Sequence, residues 1–276
     1  MPRAKYRRRR SPRNSMNRSL KPIRSSTRLA LSVAGLCTLI LLWGLGTYWL
    51  QQSISLANLL SPKETFGSLY ELLVQNQLTL HALTSLKRVL VGLGLALVLG
   101  VPIGLAIGTS RPLENSTSSA FQFLRMISPL SWMPIAVMVF GIGDAPIYFL
   151  LTFAAVWPII LNTAAGVRQL DPRWLTLAKS LSATRREMLF KIVMPGILGH
   201  ILTGVRLAIG IIWIVLVPCE MLGVSSGLGY FILDTRDRLA YSELMAVIVL
   251  IGALGFMLDG MAQKLYQYWT RSPSKP

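Results

Sequence analysis

Residues 29–50 read LALSVAGLCTLILLWGLGTYWL, twenty-two positions without a charge. A helix of that length rises about 33 Å, enough to cross the roughly 30 Å hydrocarbon core of a bilayer. The pattern recurs down the chain. Val89–Gly108 is a second such run, preceded by Lys87-Arg88, and Met126–Gly143 is a shorter third, broken by Pro129 and Pro134. Ala145–Val167, Ile201–Gly223 and Leu244–Gln263 are the fourth, fifth and sixth. Only Asp144 separates the third from the fourth, so that pair leans toward a hairpin. The expected fold is an all-α polytopic membrane protein of six transmembrane helices.

The whole chain supports that class. Hydrophobic residues make up 53% and charged residues 14%, where a soluble domain carries about 25% charged residues. With a mean hydropathy of +0.53, an ordinary soluble enzyme is excluded. Cys37 and Cys219 lie inside apolar runs, which leaves neither a disulfide framework nor a thiolate metal site. His81 and His200 stand far apart without ligand-type neighbours, and the eleven acids are scattered.

The formal charge of +17 is uneven. Residues 1–28 hold eleven Lys and Arg and no acid, the composition of a disordered tail lying against anionic lipid. Loop charges then set the orientation. With the N-terminus inside, segments 1–28, 109–119, 168–200 and 268–276 carry twenty basic residues, whereas the outer segments 51–85 and 224–243 hold only Lys63, Arg236 and Arg238. Both termini are expected to be cytoplasmic.

One inner segment is more than a connection. Asp171-Pro172 is a helix start, and Thr184-Arg185-Arg186-Glu187 reads as a capping box. Pro195-Gly196 is expected to stop the second helix. Residues 168–200 thus form a two-helix elbow joined at Leu181–Ala183. In the second span, Gly100, Gly104 and Gly108 recur at i+4, a ridge that permits close helix packing without naming the helix opposite. No G-x-x-x-x-G-K-[ST] phosphate loop, G-x-S-x-G elbow or H-E-x-x-H pair is present. Neither nucleotide binding nor an enzymatic site is expected.

Within the elbow, Thr176-Leu177-Ala178, three residues, Ser182, nine residues, then Ile192-Val193-Met194-Pro195 resembles the E-A-A-x3-G-x9-I-x-L-P loop of ABC importer permeases. Thr176, Leu177, Ser182 and Met194 depart from the pattern's Glu, Ala, Gly and Leu, while the spacing is kept. Ile127–Pro134, Phe140–Gly143, Trp157–Thr163, Thr203–Gly210 and Gly227–Tyr230 are similar to the nitrate/sulfonate/taurine/bicarbonate group, from about Leu80 to Asp259. The resemblance implies a type I importer of two permeases, two ATPase subunits and an external binding protein, in a bacterial inner membrane. It implies a homodimer, contact with lipid and none with nucleic acid, and no cofactor on this chain, with ATP and magnesium on the partner ATPases.

The resulting organisation is a basic tail (1–28), a first helix (29–50), an outer segment (51–85) with an amphipathic stretch at Glu64–Leu80, a permease core (86–267) and a tail (268–276). Expected ATPase-coupling residues are Thr176, Leu177, Ala178, Leu181, Ser182, Arg185, Ile192 and Pro195; Leu177, Ala178 and Leu181 would form the contact ridge, and Ser182 would let the elbow turn tightly. Expected path residues are Trp132, Arg206, Gly210, Trp213 and Glu220. Arg206, Trp213 and Glu220 are spaced by seven and share a helix face, since seven residues fall only about 20° short of two turns. Two readings of that face stand. The charges point into a translocation path, or each snorkels or pairs with a neighbouring helix. The function implied is import of a small oxyanion; a stand-alone channel or secondary anion transporter is the alternative, and a membrane-anchored scaffold would rest on the basic tail alone.

Overall fold

The computed structural model describes residues 25–52 and 55–270; the basic tail through residue 24 and the end beyond Thr270 lie outside them. Among the described residues there are helices and no strands. The elements are α1 (Ser25–Gln51), α2 (Pro62–Val74), α3 (Gln77–Thr109), α4 (Arg111–Met126), α5 (Met133–Phe140), α6 (Asp144–Gln169), α7 (Pro172–Ser180), α8 (Arg185–Met188), α9 (Met194–Gly223), α10 (Leu228–Asp237) and α11 (Tyr241–Thr270). Five are long and apolar enough to cross a membrane, α9 counted with the helical turns before it. A bent pair, α4 with Pro129–Phe140, meeting at 84°, passes the same test when its two helices are taken together.

That bend corrects the third span, expected at Met126–Gly143. Pro129 has no N–H to donate and disfavours the helical conformation before it; Ile127 (ψ 125) and Ser128 (ψ 129) are accordingly extended. The segment taken as an inner loop, 109–119, is mostly the start of α4. Gly141 (φ 78) and Gly143 (φ 135) then adopt conformations that side chains resist, which lets the chain turn from α5 into α6.

Helix α6 is the hub. It is 67% buried over its most apolar stretch, against 0% for α1, and it packs mainly on α3 and α9. The glycine ridge of α3 meets it directly. A Cβ on Gly92, Gly100, Gly104 or Gly108 would lie 2.7–2.8 Å from the side chains of Leu151, Ile159, Thr163 and Val167, the partner each time 59 residues ahead. A constant offset means two parallel helices in fixed register. Ala96, fully buried, continues the ridge. On its other side α6 runs antiparallel to α9, where Gly166 faces His200 and Gly204 faces Asn162.

Pro195-Gly196 does not end a helix. Leu189–Val193 forms a π-turn that leads into α9, so one helical run extends from Arg185 to Gly223, a rise of roughly 58 Å. A π-turn shifts hydrogen bonding by one residue and so absorbs the N–H that Pro195 lacks. Gly196 is needed for docking, because a Cβ there would sit 2.5 Å from Leu170. The amphipathic segment expected at Glu64–Leu80 is two helices, parted at Asn76 (φ 58).

Candidate functional site

The elbow is built by local chemistry. Asp171 accepts a hydrogen bond from the Arg173 N–H at 2.9 Å and caps α7. At the other end the Ala183 N–H reaches the Ala178 carbonyl and the Ser182 N–H reaches that of Lys179, both at 3.0 Å. This is a Schellman ending with Ser182 (φ 55) in the left-handed position usually held by glycine. Thr184 follows with a complete capping box: its hydroxyl accepts from the Glu187 N–H at 3.3 Å, and Glu187 accepts from the Thr184 N–H at 3.0 Å.

The two faces of the elbow differ. Leu170, Leu175, Leu189 and Met194 pack on Val193, Ile197 and Ile201 and fix it to the bundle. Trp174, Leu177, Leu181 and Phe190 are 52–74% exposed. Trp174, Leu177 and Leu181 stand at i, i+3 and i+7, one stripe of the α7 turns. Ala178 is not part of that ridge, which corrects its expected place: it is 3% exposed and lies inside the elbow. Thr176 and Arg185 are exposed, Ile192 is half-buried, and Pro195 is exposed at the start of α9.

The expected path face carries contacts within the chain. Arg206 binds Asp259 of α11 through two hydrogen bonds at 3.0 and 3.2 Å. Trp213 donates its indole N–H to the Ile251 carbonyl at 3.2 Å and is pressed against Gly255. Glu220 is fully buried and paired with Arg88 at 2.7 Å. All three residues have contacts with neighbouring helices within the chain. Glu220 is closed off from solvent, whereas the Arg206 and Asp259 side chains are 40% and 52% exposed. Gly210 opens outward, with nothing within 4 Å of its Cβ position, onto a surface cleft that Arg206, Thr203, Leu207 and Asp259 also line. Trp132 is half-buried against Phe153, its indole N–H buried without a partner.

Comparison with known proteins settles the class. The profile of the binding-protein-dependent transport system inner membrane component matches residues 97–268. The chain belongs to that family. Among curated relatives, the bicarbonate transport system permease protein CmpB of Synechococcus elongatus is 36% identical over 194 residues, covering 70% of this chain and 69% of that one. The nitrate import permease protein NrtB of Synechocystis is 31% identical over 212 residues (74% and 77%), and the taurine transport system permease protein TauC of Escherichia coli 29% over 239 (85% and 86%). Among solved structures, the inward-facing MetNI methionine ABC transporter aligns with a TM-score of 0.58 at 19% identity, over 68% of this chain and 93% of that one, a likeness of fold.

This inner-membrane component carries one polar cluster that residue-by-residue reading of the spans missed. Arg88, 1% exposed, donates to Glu220, to Asp144 at 2.6 and 2.9 Å, and to the Ser226 carbonyl at 2.7 Å. Glu220 also accepts from the Ser85 hydroxyl at 2.8 Å and the Gly229 N–H at 2.9 Å. The cluster ties α3, α6, α9 and the start of α10 together at the end of the bundle opposite the elbow. Gly227 (φ 112) has no room for a Cβ, which would fall 2.4 Å from the Glu220 carboxyl. A signal for Arg88 was present: it stands four residues before Gly92 on the same small-residue ridge that packs against α6.

Proposed function

We propose that this chain is one of two identical permease subunits that form the translocation path of an ATP-driven importer for a small oxyanion. Its elbow, α7 and α8, seats in a groove on a separate ATPase subunit that carries the ATP and magnesium. The observation behind this reading is the apolar stripe of Trp174, Leu177 and Leu181, displayed on a doubly capped turn outside the membrane span. Burying the exposed part of each leucine in a partner contributes on the order of 1 kcal/mol. A rigid elbow whose helix runs on into a span gives an ATPase something to push. Thr176, Ser182, Arg185, Ile192 and Pro195 shape and flank that contact.

Related permeases are named for bicarbonate, nitrate and taurine. An anion with delocalised charge on its oxygens is common to the three. An external binding protein selects the anion and docks at the end opposite the elbow. Both termini face the cytoplasm of a bacterial cell, as the loop charges require. The path runs along the broken α4–α5 span, past Trp132 and Gly210, at the interface of the two subunits.

Reconstitution tests the reading. The purified chain alone should hydrolyse no ATP and import nothing. With its ATPase subunits in liposomes, hydrolysis should appear and rise with a loaded binding protein. Anion uptake by the chain alone, without ATP, would instead establish a stand-alone channel. In cells lacking Cys37, an impermeant thiol reagent should label Ser225→Cys from outside and leave Ser180→Cys unlabelled; the reverse pattern overturns the orientation.

A further inference from the structure

Helix α4 carries its polar residues in one line. Arg111, Asn115, Ser118, Gln122 and Arg125 stand at i, i+4, i+7, i+11 and i+14, the spacing of a single helix stripe. All five are exposed, and none of their side chains makes a hydrogen bond or ion pair among the described residues. The stripe holds two arginines and no acid, and Glu114, on the same helix, is taken up by Arg168. Leu113, Ser116, Ala120 and Phe123, at i, i+3, i+7 and i+10, form a second exposed stripe that is apolar or small. There Ser116 turns its hydroxyl back onto the Pro112 carbonyl at 2.8 Å, which the Ser118 hydroxyl does not do.

The helix runs along the bundle and not across its end. Its first turn meets the end of α6 through the Glu114–Arg168 ion pair, and further on Phe121 meets Trp157 with ring centroids 5.5 Å apart. Arg125 then shares a cleft with Phe153. Numbers rise on α4 as they fall on α6, so the two are antiparallel. The stripe therefore ends level with the middle of a span, at Trp157, roughly 18 Å from Gln169 by helix rise. An arginine at that depth without a counter-charge is costly against lipid, and such residues face a bundle interior or a water-filled cavity. Clefts of about 270 and 330 Å³ adjoin Arg125 between α4 and α6. Leu207 and Ile211 of α9 line the second, and they also line the cleft onto which Gly210 opens, so the polar stripe and Gly210 border one continuous surface.

We infer that the α4 stripe lines a water-filled vestibule at the elbow end of the translocation path, with the unpaired Arg125 guanidinium at its deep end as the fixed charge that admits anions and turns back cations. The stripe acts by keeping the passage wet and positively charged, and it needs no assembled binding pocket. A cleft lined by one sign of charge raises the local concentration of the opposite ion. The inference rests on the transport reading above, and it names one wall of that path and its charge filter.

Single cysteines test the wall, in a chain lacking Cys37, the exposed one of its two native cysteines. The chain is held with its ATPase subunits in opened membranes and probed with charged, water-soluble methanethiosulfonates. Asn115→Cys, Ser118→Cys and Gln122→Cys should react about tenfold or more faster than Ser116→Cys, Ala120→Cys and Phe123→Cys, because a thiol ionises in water and stays neutral in apolar surroundings. At Gln122→Cys an anionic reagent should outpace a cationic one, and Arg125→Gln should cut that preference about threefold or more, whereas Arg125→Lys, which keeps the charge, should retain it. Equal reaction of the two stripes puts α4 in open water, and an unreactive polar stripe means that protein covers it; either result overturns the vestibule. A charge preference that Arg125→Gln leaves unchanged overturns the filter. ATP-driven anion uptake by the importer in sealed liposomes distinguishes failures: uptake without the labelling pattern removes the vestibule and leaves the transport function standing, and the pattern without uptake does the opposite.

Discussion

Removing Arg88 should be among the most damaging single changes this fold can suffer. Its guanidinium neutralises Glu220, which is 0% exposed, and holds Asp144 and the Ser226 carbonyl. Arg88→Met keeps much of the side-chain volume and deletes the charge. Glu220 would retain only the Ser85 hydroxyl and the Gly229 N–H, leaving a carboxylate buried without a cation. Breaking a buried pair in this way costs about 3–5 kcal/mol, against a total stability on the order of 5–15 kcal/mol. At about 2–4 °C per kcal/mol for chains of 150–250 residues, the apparent melting temperature should drop by on the order of 10 °C. The assay is thermal unfolding in nanodiscs at a fixed scan rate, since such unfolding is commonly irreversible. Glu220→Gln should cost less, about 1.5–3 kcal/mol, because Arg88 keeps Asp144. The double variant should be less unstable than the two losses added together, since it leaves no unpaired charge. A melting temperature for Arg88→Met within 2 °C of the parent, or a fully additive double variant, would refute the idea that the cluster clamps this end of the bundle.

Three further expectations concern packing and the elbow. Gly104→Ala should destabilise by about 1–3 kcal/mol through overpacking, because its Cβ would meet Thr163 at 2.7 Å, whereas Gly94→Ala, with nothing within 4 Å, should be neutral or stabilise by up to about 1 kcal/mol; paired melting curves check both. Ser182→Gly relieves a left-handed serine and should add about 1 kcal/mol to the elbow, read as slower amide exchange over 172–184 with transport intact. Leu181→Asp, at 74% exposure, should leave the elbow resistant to limited proteolysis yet prevent retention of the ATPase, whereas Ala178→Asp should open the elbow itself, because Ala178 is 3% exposed and a buried unpaired charge is expelled by unfolding its surroundings.

The sequence by itself determined what depends on neighbours along the chain. Uncharged runs of about twenty residues gave the membrane class, because backbone in hydrocarbon must satisfy its own hydrogen bonds in helices. Asp171-Pro172 and Thr184–Glu187 marked both helix starts of the elbow, since capping is a contact three residues long or less. The glycine ridge announced a close helix contact, and the spacing across the elbow announced the family. Local reading failed where a local cost was met by a shift or a distant partner. Pro195 did not stop its helix, because a π-turn absorbed the missing donor. Pro129 did break its span, because the two residues before it went extended. Ala178 looked like a surface residue of a short helix and is instead its interior. Charge partners were the least legible. Arg206 meets Asp259 53 residues on, and Arg88 meets Glu220 across 132. Nothing in an amphipathic period says which charge on another helix will face a given one. Only the packing of α3 against α9 decided which charge the buried Glu220 meets, because a charge in low dielectric is stable only where the fold brings its counter-charge within hydrogen-bonding distance.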